Sequence, residues 1–121
     1  MQIQKLASST IIISTEDCKI LCDPWLENGE YFGSWSLVEK IHKKNFYEYI
    51  DLCEFIYISH IHPDHFSKKT LEKISKKKKI VIHSYASPFL KRNLNFLGFN
   101  NVIELKHNEK KYIKGKTSIT I

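Results

Sequence analysis

The sequence has only three cysteines, an odd number, and no Cys-x-x-Cys pair. That excludes a disulfide framework and the paired-cysteine motifs of structural zinc and of iron–sulfur centres. Cys18 and Cys22 lie four apart in an expected strand, and Cys53 stands alone. Free buried thiols in a reducing cytoplasm are the expected state. Three prolines and four glycines in 121 residues leave no room for a linker-like or collagen-like segment. No stretch approaches 18 apolar residues, so no membrane span is expected. The opening Met1 to Thr10 lacks a long apolar core, so it does not read as a signal peptide. What remains is 42% hydrophobic and 26% charged, without internal repeats, which describes one globular unit over residues 1–121.

Charge is unbalanced. Nineteen Lys and Arg against thirteen Asp and Glu give +6. Much of the excess lies in Lys76–Lys79, with Lys68, Lys69 and Lys73 just upstream. A nucleic-acid or anionic partner is one reading of such a run. The other is a solvated helix end, where cations oppose the negative end of the macrodipole. No aromatic side chains interleave with the lysines to stack bases, so the second reading is favoured and nucleic acid is not an expected partner.

Periodicity gives an order of elements. Residues 2–7, 10–14 and 18–22 are β-branched or alternate, so three strands open the chain. Residues 23–36 read as a loop with two glycines and four aromatic rings. Leu37, Ile41, Phe46 and Ile50 recur at roughly helical spacing over 37–50. Residues 54–59 form a strand. Ser67 is a candidate N-cap for a helix reaching about Lys77. Residues 80–83 form a short strand. Pro88 sits in the first turn of a helix running to about Leu97, which Gly98 stops. Residues 101–105, 111–114 and 117–121 read as strands.

The chemistry is concentrated in His60-Ile61-His62-Pro63-Asp64-His65, directly after the apolar run Phe55–Ile58. Imidazole suits zinc, iron and related metals, and a carboxylate can join as ligand or base. In an extended segment His60 and His62 face the same way. Pro63 holds His62 extended and lets the chain turn. Asp64 and His65 then approach from another direction and could serve a second ion. A strand that ends in such a cluster presents it at its carboxyl end, where open α/β sheets build sites.

The His60-x-His62-x-Asp64-His65 pattern resembles the signature of the metallo-β-lactamase superfamily. Ile20 to Leu26 with Asp23-Pro24-Trp25, then Gly33-Ser34-Trp35, Ile56 to Ser59, Phe66-Ser67 and Thr70-Leu71 resemble one branch of it. That branch holds the metallo-β-lactamase-like part of CMP-N-acetylneuraminate hydroxylase-type proteins, and ascorbate-6-phosphate lactonase-like hydrolases are broader relatives. The resemblance implies an α/β fold, the αββα sandwich, of which this chain would supply the N-terminal half. It implies up to two divalent ions, zinc first, with manganese or iron as alternatives. His60, His62, Asp64 and His65 would be ligands. Asp64 would also orient the attacking hydroxide, and Asp23 would support the loop from beneath by hydrogen bonds. Trp25 and Trp35, on the loop bordering the site mouth, are candidates for substrate contact.

The further His, Asp and His that complete such a site in the family have no counterpart here. His83 and His107 match no family ligand position and read as ordinary polar residues. The implied activity is hydrolysis of an ester, lactone, amide or phosphodiester on a small molecule, anionic or sugar-derived. The alternatives are a non-catalytic remnant with half a site and a nucleic-acid-processing module. With half of the sandwich missing, one sheet face would lose its cover, favouring self-association or dependence on a complementary half.

Overall fold

In the computed structural model, residues 1–38 and 43–121 are described. Three antiparallel strands begin the chain: β1 Gln2–Lys5, β2 Ile11–Ser14 and β3 Lys19–Cys22. Then follow α1 Lys43–Asp51, β4 Phe55–Ile58, α2 Lys68–Lys73, β5 Lys79–His83, α3 Phe89–Phe96 and β6 Val102–Leu105. The hairpin β7 Lys110–Lys114 and β8 Thr117–Thr120 closes the chain. The main sheet has the order β1-β2-β3-β4-β5-β6, with β3 through β6 parallel.

Strict alternation splits the central strands between two faces. Leu21, Ile56, Ile58, Ile80 and Ile82 point to one side, where Ile50, Leu71, Ile74, Leu90 and Leu94 of the helical layer and its connections meet them. Ile20, Cys22, Phe55, Val81 and Leu105 point to the other. Both faces are therefore apolar, as parallel strands buried on two sides require. Ile113 and Ile119 of the closing hairpin, with Ile121, pack against the second face. The expected bare face is thus not found at the centre of the sheet, because the hairpin covers it.

Two helices differ from their sequence-based limits. The one expected over 37–50 starts at Lys43 among the described residues, and the Ile41 on which its spacing relied lies outside them. Helix α2 is capped as expected, Ser67 Oγ accepting from the Thr70 amide at 3.2 Å. It ends at Lys73, not near Lys77, because Ile74 turns extended to bury its side chain. Lys76–Lys79 therefore lie beyond the helix and do not form a solvated helix end. Lys76 Nζ donates to the Leu71 carbonyl and stands 4.3 Å from the Phe99 ring centre. Lys78 is buried, its ammonium held by the carbonyls of Asp51 and Cys53 at 3.2 and 2.6 Å. Lys79 opens β5 with its ammonium 5.3 Å from the Phe55 ring centre.

Pro88 is the N-cap of α3 and so precedes its first turn. At the other end Gly98, at φ +91°, forms a Schellman motif: its amide donates to Asn95 O at 2.9 Å and that of Phe99 to Leu94 O at 3.0 Å. Leu94 and Phe99 are then buried together.

All three cysteines are free and buried. Burial, and then the adjacent Asp23 carboxylate, push the Cys22 thiol up to about 12. At pH 8 its thiolate fraction falls from about one in ten for an ordinary thiol near 9 to about one in ten thousand. Alkylation of Cys22 in the folded chain should therefore be slower than in urea by about a thousandfold, read by peptide mass after timed iodoacetamide treatment. The sign of the linkage follows: the contribution of Cys22 to stability is present below about 9 and is lost as pH rises toward about 12. Equal alkylation rates in the two states would contradict this burial.

Candidate metal centre

The parallel strands β3, β4 and β5 end at one rim, and the candidate residues collect there. Cys22 pairs with Tyr57 across β3 and β4. One residue later Asp23 takes φ +45°, a left-handed conformation that Asp adopts more readily than most residues. Its amide still donates to Tyr57 O at 2.9 Å. The turn aims its carboxylate at the first residue after β4: Oδ1 accepts from the Ser59 amide at 2.7 Å and Oδ2 from Ser59 Oγ at 2.8 Å. The same Oδ2 lies 2.9 Å from His65 Nδ1. One carboxylate thus ties the start of the His60–His65 loop to its end.

That tie selects a tautomer. With Nδ1–H donated to Asp23, the remaining lone pair of His65 is on Nε2. His65 Nε2 lies 3.4 Å from Asp64 Oδ2, on the open side of the loop. His60 Nε2 and His62 Nδ1 meet at 3.0 Å. The His60 and His65 rings lie 4.1 Å apart between centres. His60 Nδ1 is 2.9 Å from Ser59 Oγ, which fixes its ring from behind. Burial, with the neighbouring His65 and His62, holds His60 below the usual histidine range. The neutral ring, which a metal needs, is thereby favoured.

The donor chemistry fits a metal in part. Two nitrogens on one tetrahedral ion at ~2.05 Å would stand ~3.3 Å apart. The His60–His62 contact at 3.0 Å and the Asp64–His65 contact at 3.4 Å lie near that value and are also ordinary polar contacts. Among the described residues no three His, Cys, Asp or Glu side chains converge on a single point. The arrangement is two pairs, not one closed set.

Several supports carried no sequence signal. Ser9, in the β1–β2 turn, donates to the Asp64 carbonyl, and Thr10 Oγ1 donates to the Asp23 carbonyl at 2.9 Å. A serine and a threonine in a turn are too common to mark a role. Tyr31 donates to Asp64 Oδ1 at 3.2 Å, leaving Oδ2 for the site. Tyr31 and Phe32 both take positive φ, +48° and +59°, ahead of Gly33 at +89°. Such strain in bulky residues concentrates at functional loops.

The two tryptophans part company. Trp25 is buried and its indole N–H donates to Glu27 O at 2.8 Å. It packs beneath the loop with little of its ring at the surface. Trp35 is half exposed and packs on Tyr31 at 4.4 Å between centres. His83 ends β5 with a buried Nδ1 that has no hydrogen-bond partner among the described residues, its ring edge-on to Tyr85 at 4.7 Å. His107 lies in the exposed turn between β6 and β7.

Comparison with known proteins agrees with this architecture. A "Putative Rieske 2Fe-2S iron-sulfur protein" of Mycolicibacterium smegmatis is 31% identical over 116 residues, which cover 95% of this chain and 22% of that protein. Cytidine monophosphate-N-acetylneuraminic acid hydroxylase of Cricetulus griseus is 30% identical over 78 residues, covering 64% of this chain and 14% of that enzyme. The crystal structure of isothiocyanate hydrolase from Delia radicum gut bacteria superposes with TM-score 0.66 at 18% identity, over 93% of this chain and 43% of that one. A possible metal-dependent hydrolase from Veillonella parvula gives 0.64 at 17% identity, over 87% and 41%. The chain therefore spans about a fifth of the length of that Rieske relative and under half of those solved structures. The fold is that of the metallo-β-lactamase neighbours. A family model described as "Beta-lactamase superfamily domain" matches residues 2–120, so this chain belongs to the β-lactamase superfamily.

Proposed function

We propose that this chain carries the metal-holding loop of a metal-dependent hydrolase, with His60 and His62 holding one divalent ion and Asp64 and His65 a second. Zinc is the favoured ion, with manganese or iron as alternatives. The observation that carries this reading is the pairing of His60 Nε2 with His62 Nδ1 at 3.0 Å. Two neutral imidazole nitrogens facing each other need either a shared proton or a cation between them.

A bound divalent ion would supply Lewis acidity, polarising a carbonyl or phosphoryl oxygen and making water acidic enough to attack near neutral pH. The residues of the chain do the rest. Tyr31 occupies Asp64 Oδ1, so Oδ2 is the oxygen that would ligate the second ion with His65 and orient its water. Asp23 holds the His65 ring by Nδ1 and keeps its Nε2 lone pair toward the site. Ser59 does the same for His60 from behind. The reaction class this supports is hydrolysis of an ester, lactone, amide or phosphodiester.

The Rieske name of one relative does not extend to this segment. A Rieske centre uses two Cys and two His, and the cysteines here are buried and apart. Nucleic acid is not the favoured partner: Lys76 and Lys78 are turned to backbone carbonyls, which leaves Lys77 and Lys79 of the run exposed.

Two protein ligands per ion leave the rest of each coordination sphere to groups outside the four. Residues 1–121 alone, loaded with zinc or manganese, should bind metal yet hydrolyse lactone, thioester and phosphodiester substrates at no more than the rate of a His60→Ala, His62→Ala variant. Joined to the second half of a metallo-β-lactamase sandwich, the same residues should gain turnover that this double variant lacks. Full turnover by residues 1–121 alone would show that the paired ligands suffice. Turnover unaffected by the double variant would remove the proposal.

A further inference from the structure

Beside the His60–His62 pair lies a cavity of about 330 Å³ that the hydrolytic reading does not use. His60 and His62 form one wall, and Ile61, Tyr85, Phe89 and Leu90 form the others. The walls away from the imidazoles are almost wholly carbon. Tyr85 and the lip residue Ser87 are the exceptions, and the Tyr85 hydroxyl is already given to the Ser59 carbonyl at 2.6 Å, so its ring is what remains for a ligand. Leu90 is buried while Phe89 is more than half exposed, so the cavity has a closed floor and an open lip.

We infer that this cavity is the specificity pocket of the site and takes an apolar group, an aromatic ring or a branched alkyl chain, attached to the carbonyl that the His60–His62 side of the loop addresses. This inference rests on the metal-dependent reading above and narrows its substrate class.

Size and chemistry both support it. Ligand pockets run from about 300 to 1,000 Å³, and an apolar cavity of about 150 Å³ already accommodates benzene. The cavity here is thus large enough for a substituted ring and small for a nucleotide. A sugar ring would bring several hydroxyls against Ile61, Phe89 and Leu90, where none finds a partner. Unpaired polar groups cost more than the apolar contact returns. A reactive group placed beside an apolar anchor is the common plan of small-molecule sites. The lip residue Ser87 is exposed and borders the cavity, so a larger side chain there can fill it without disturbing the core.

The test uses the 121-residue chain with labelled Ile and Leu methyl groups and labelled imidazoles. Phenylacetate, acetate and glucose serve as probes, with and without zinc. Phenylacetate should shift the Leu90 and Ile61 methyl signals saturably in metal-free protein, while acetate and glucose leave them unmoved. Zinc, which shifts the His60 and His62 signals, should tighten phenylacetate by about tenfold through its carboxylate. Ser87→Trp should weaken phenylacetate by at least about tenfold while zinc binding stays the same.

Phenylacetate that moves neither methyl signal, or binds Ser87→Trp as well as the natural chain, overturns the pocket. Should zinc move His60 and His62 without any phenylacetate response, the pocket alone fails. If phenylacetate binds at Leu90 but zinc leaves the imidazoles unmoved, the pocket stands as an apolar binding site and its place in a metal-dependent hydrolase is overturned.

Discussion

Replacing His60 and His62 together with alanine should reduce retained zinc to background after dialysis, measured as metal per chain. The two nitrogens are in direct contact at 3.0 Å, at the surface of the loop. Neither ring is part of the apolar core, His62 being exposed and His60 half-buried. The variant should therefore stay folded, losing about 1 kcal/mol with the His60 contact to Ser59. Loss of metal could not then be blamed on unfolding. Asp64 and His65 by themselves keep one pair with a single imidazole, which should hold zinc more weakly than the two-imidazole pair of His60 and His62. A His107→Ala chain is the matching control and should keep its zinc, because His107 lies in the exposed turn between β6 and β7. Zinc content unchanged in the His60, His62 variant would place the metal elsewhere and remove the basis for the hydrolase reading.

The second large effect belongs to Asp23. Asp23→Asn should weaken zinc binding by about 10- to 100-fold, the usual cost of losing a partner that orients a ligand. The reason is specific to the hydrogen bonds. One Asp23 carboxylate accepts from the Ser59 amide, Ser59 Oγ and His65 Nδ1. An amide offers one acceptor oxygen, so the Ser59 amide can be kept while His65 loses its anchor. The His65 ring is then free to change tautomer or turn. Stability should fall by about 1–3 kcal/mol, the cost of a lost charge-assisted bond. Asn tolerates the left-handed backbone at this position, so the variant isolates the hydrogen bonds from the conformation. Asp23→Ala should lose a further ~1 kcal/mol from the φ +45° backbone. The reading is a zinc titration of each variant beside its urea midpoint. A zinc affinity in Asp23→Asn equal to the natural chain would mean that the loop holds its shape without this tie.

How far the residues disclose the structure depends on the range over which each signal acts. The strands around Ile20, Ile56 and Val81 are legible because burial on two faces leaves short unbroken apolar runs. The division of their side chains between two faces follows from period two, while the register between strands does not. The stop of α3 is legible because Gly98 followed by apolar Phe99 is a local pattern. The end of α2 is not, since Ile74 leaves the helix to fill a core whose other walls are remote in sequence. The lysine run misled for the same reason: Lys78 is held by carbonyls of Asp51 and Cys53, some 25 residues away. The His60–His65 cluster announces itself by residue type. Its supports do not. Ser9 reaches the Asp64 carbonyl from 55 positions away, and Tyr31 reaches its carboxylate from 33. Trp25 and Trp35 look alike on one loop, yet only the burial of the first separates foundation from surface.

The central claim is that one metal sits between His60 and His62. It is tested most directly by an anomalous difference map from crystals of the chain grown with cobalt or zinc. A peak is expected within coordination distance of His60 Nε2 and His62 Nδ1, with any second peak between Asp64 Oδ2 and His65 Nε2. A map whose strongest peak lies at His83, at His107 or at the buried cysteines, with none at the His60–His65 loop, would contradict it.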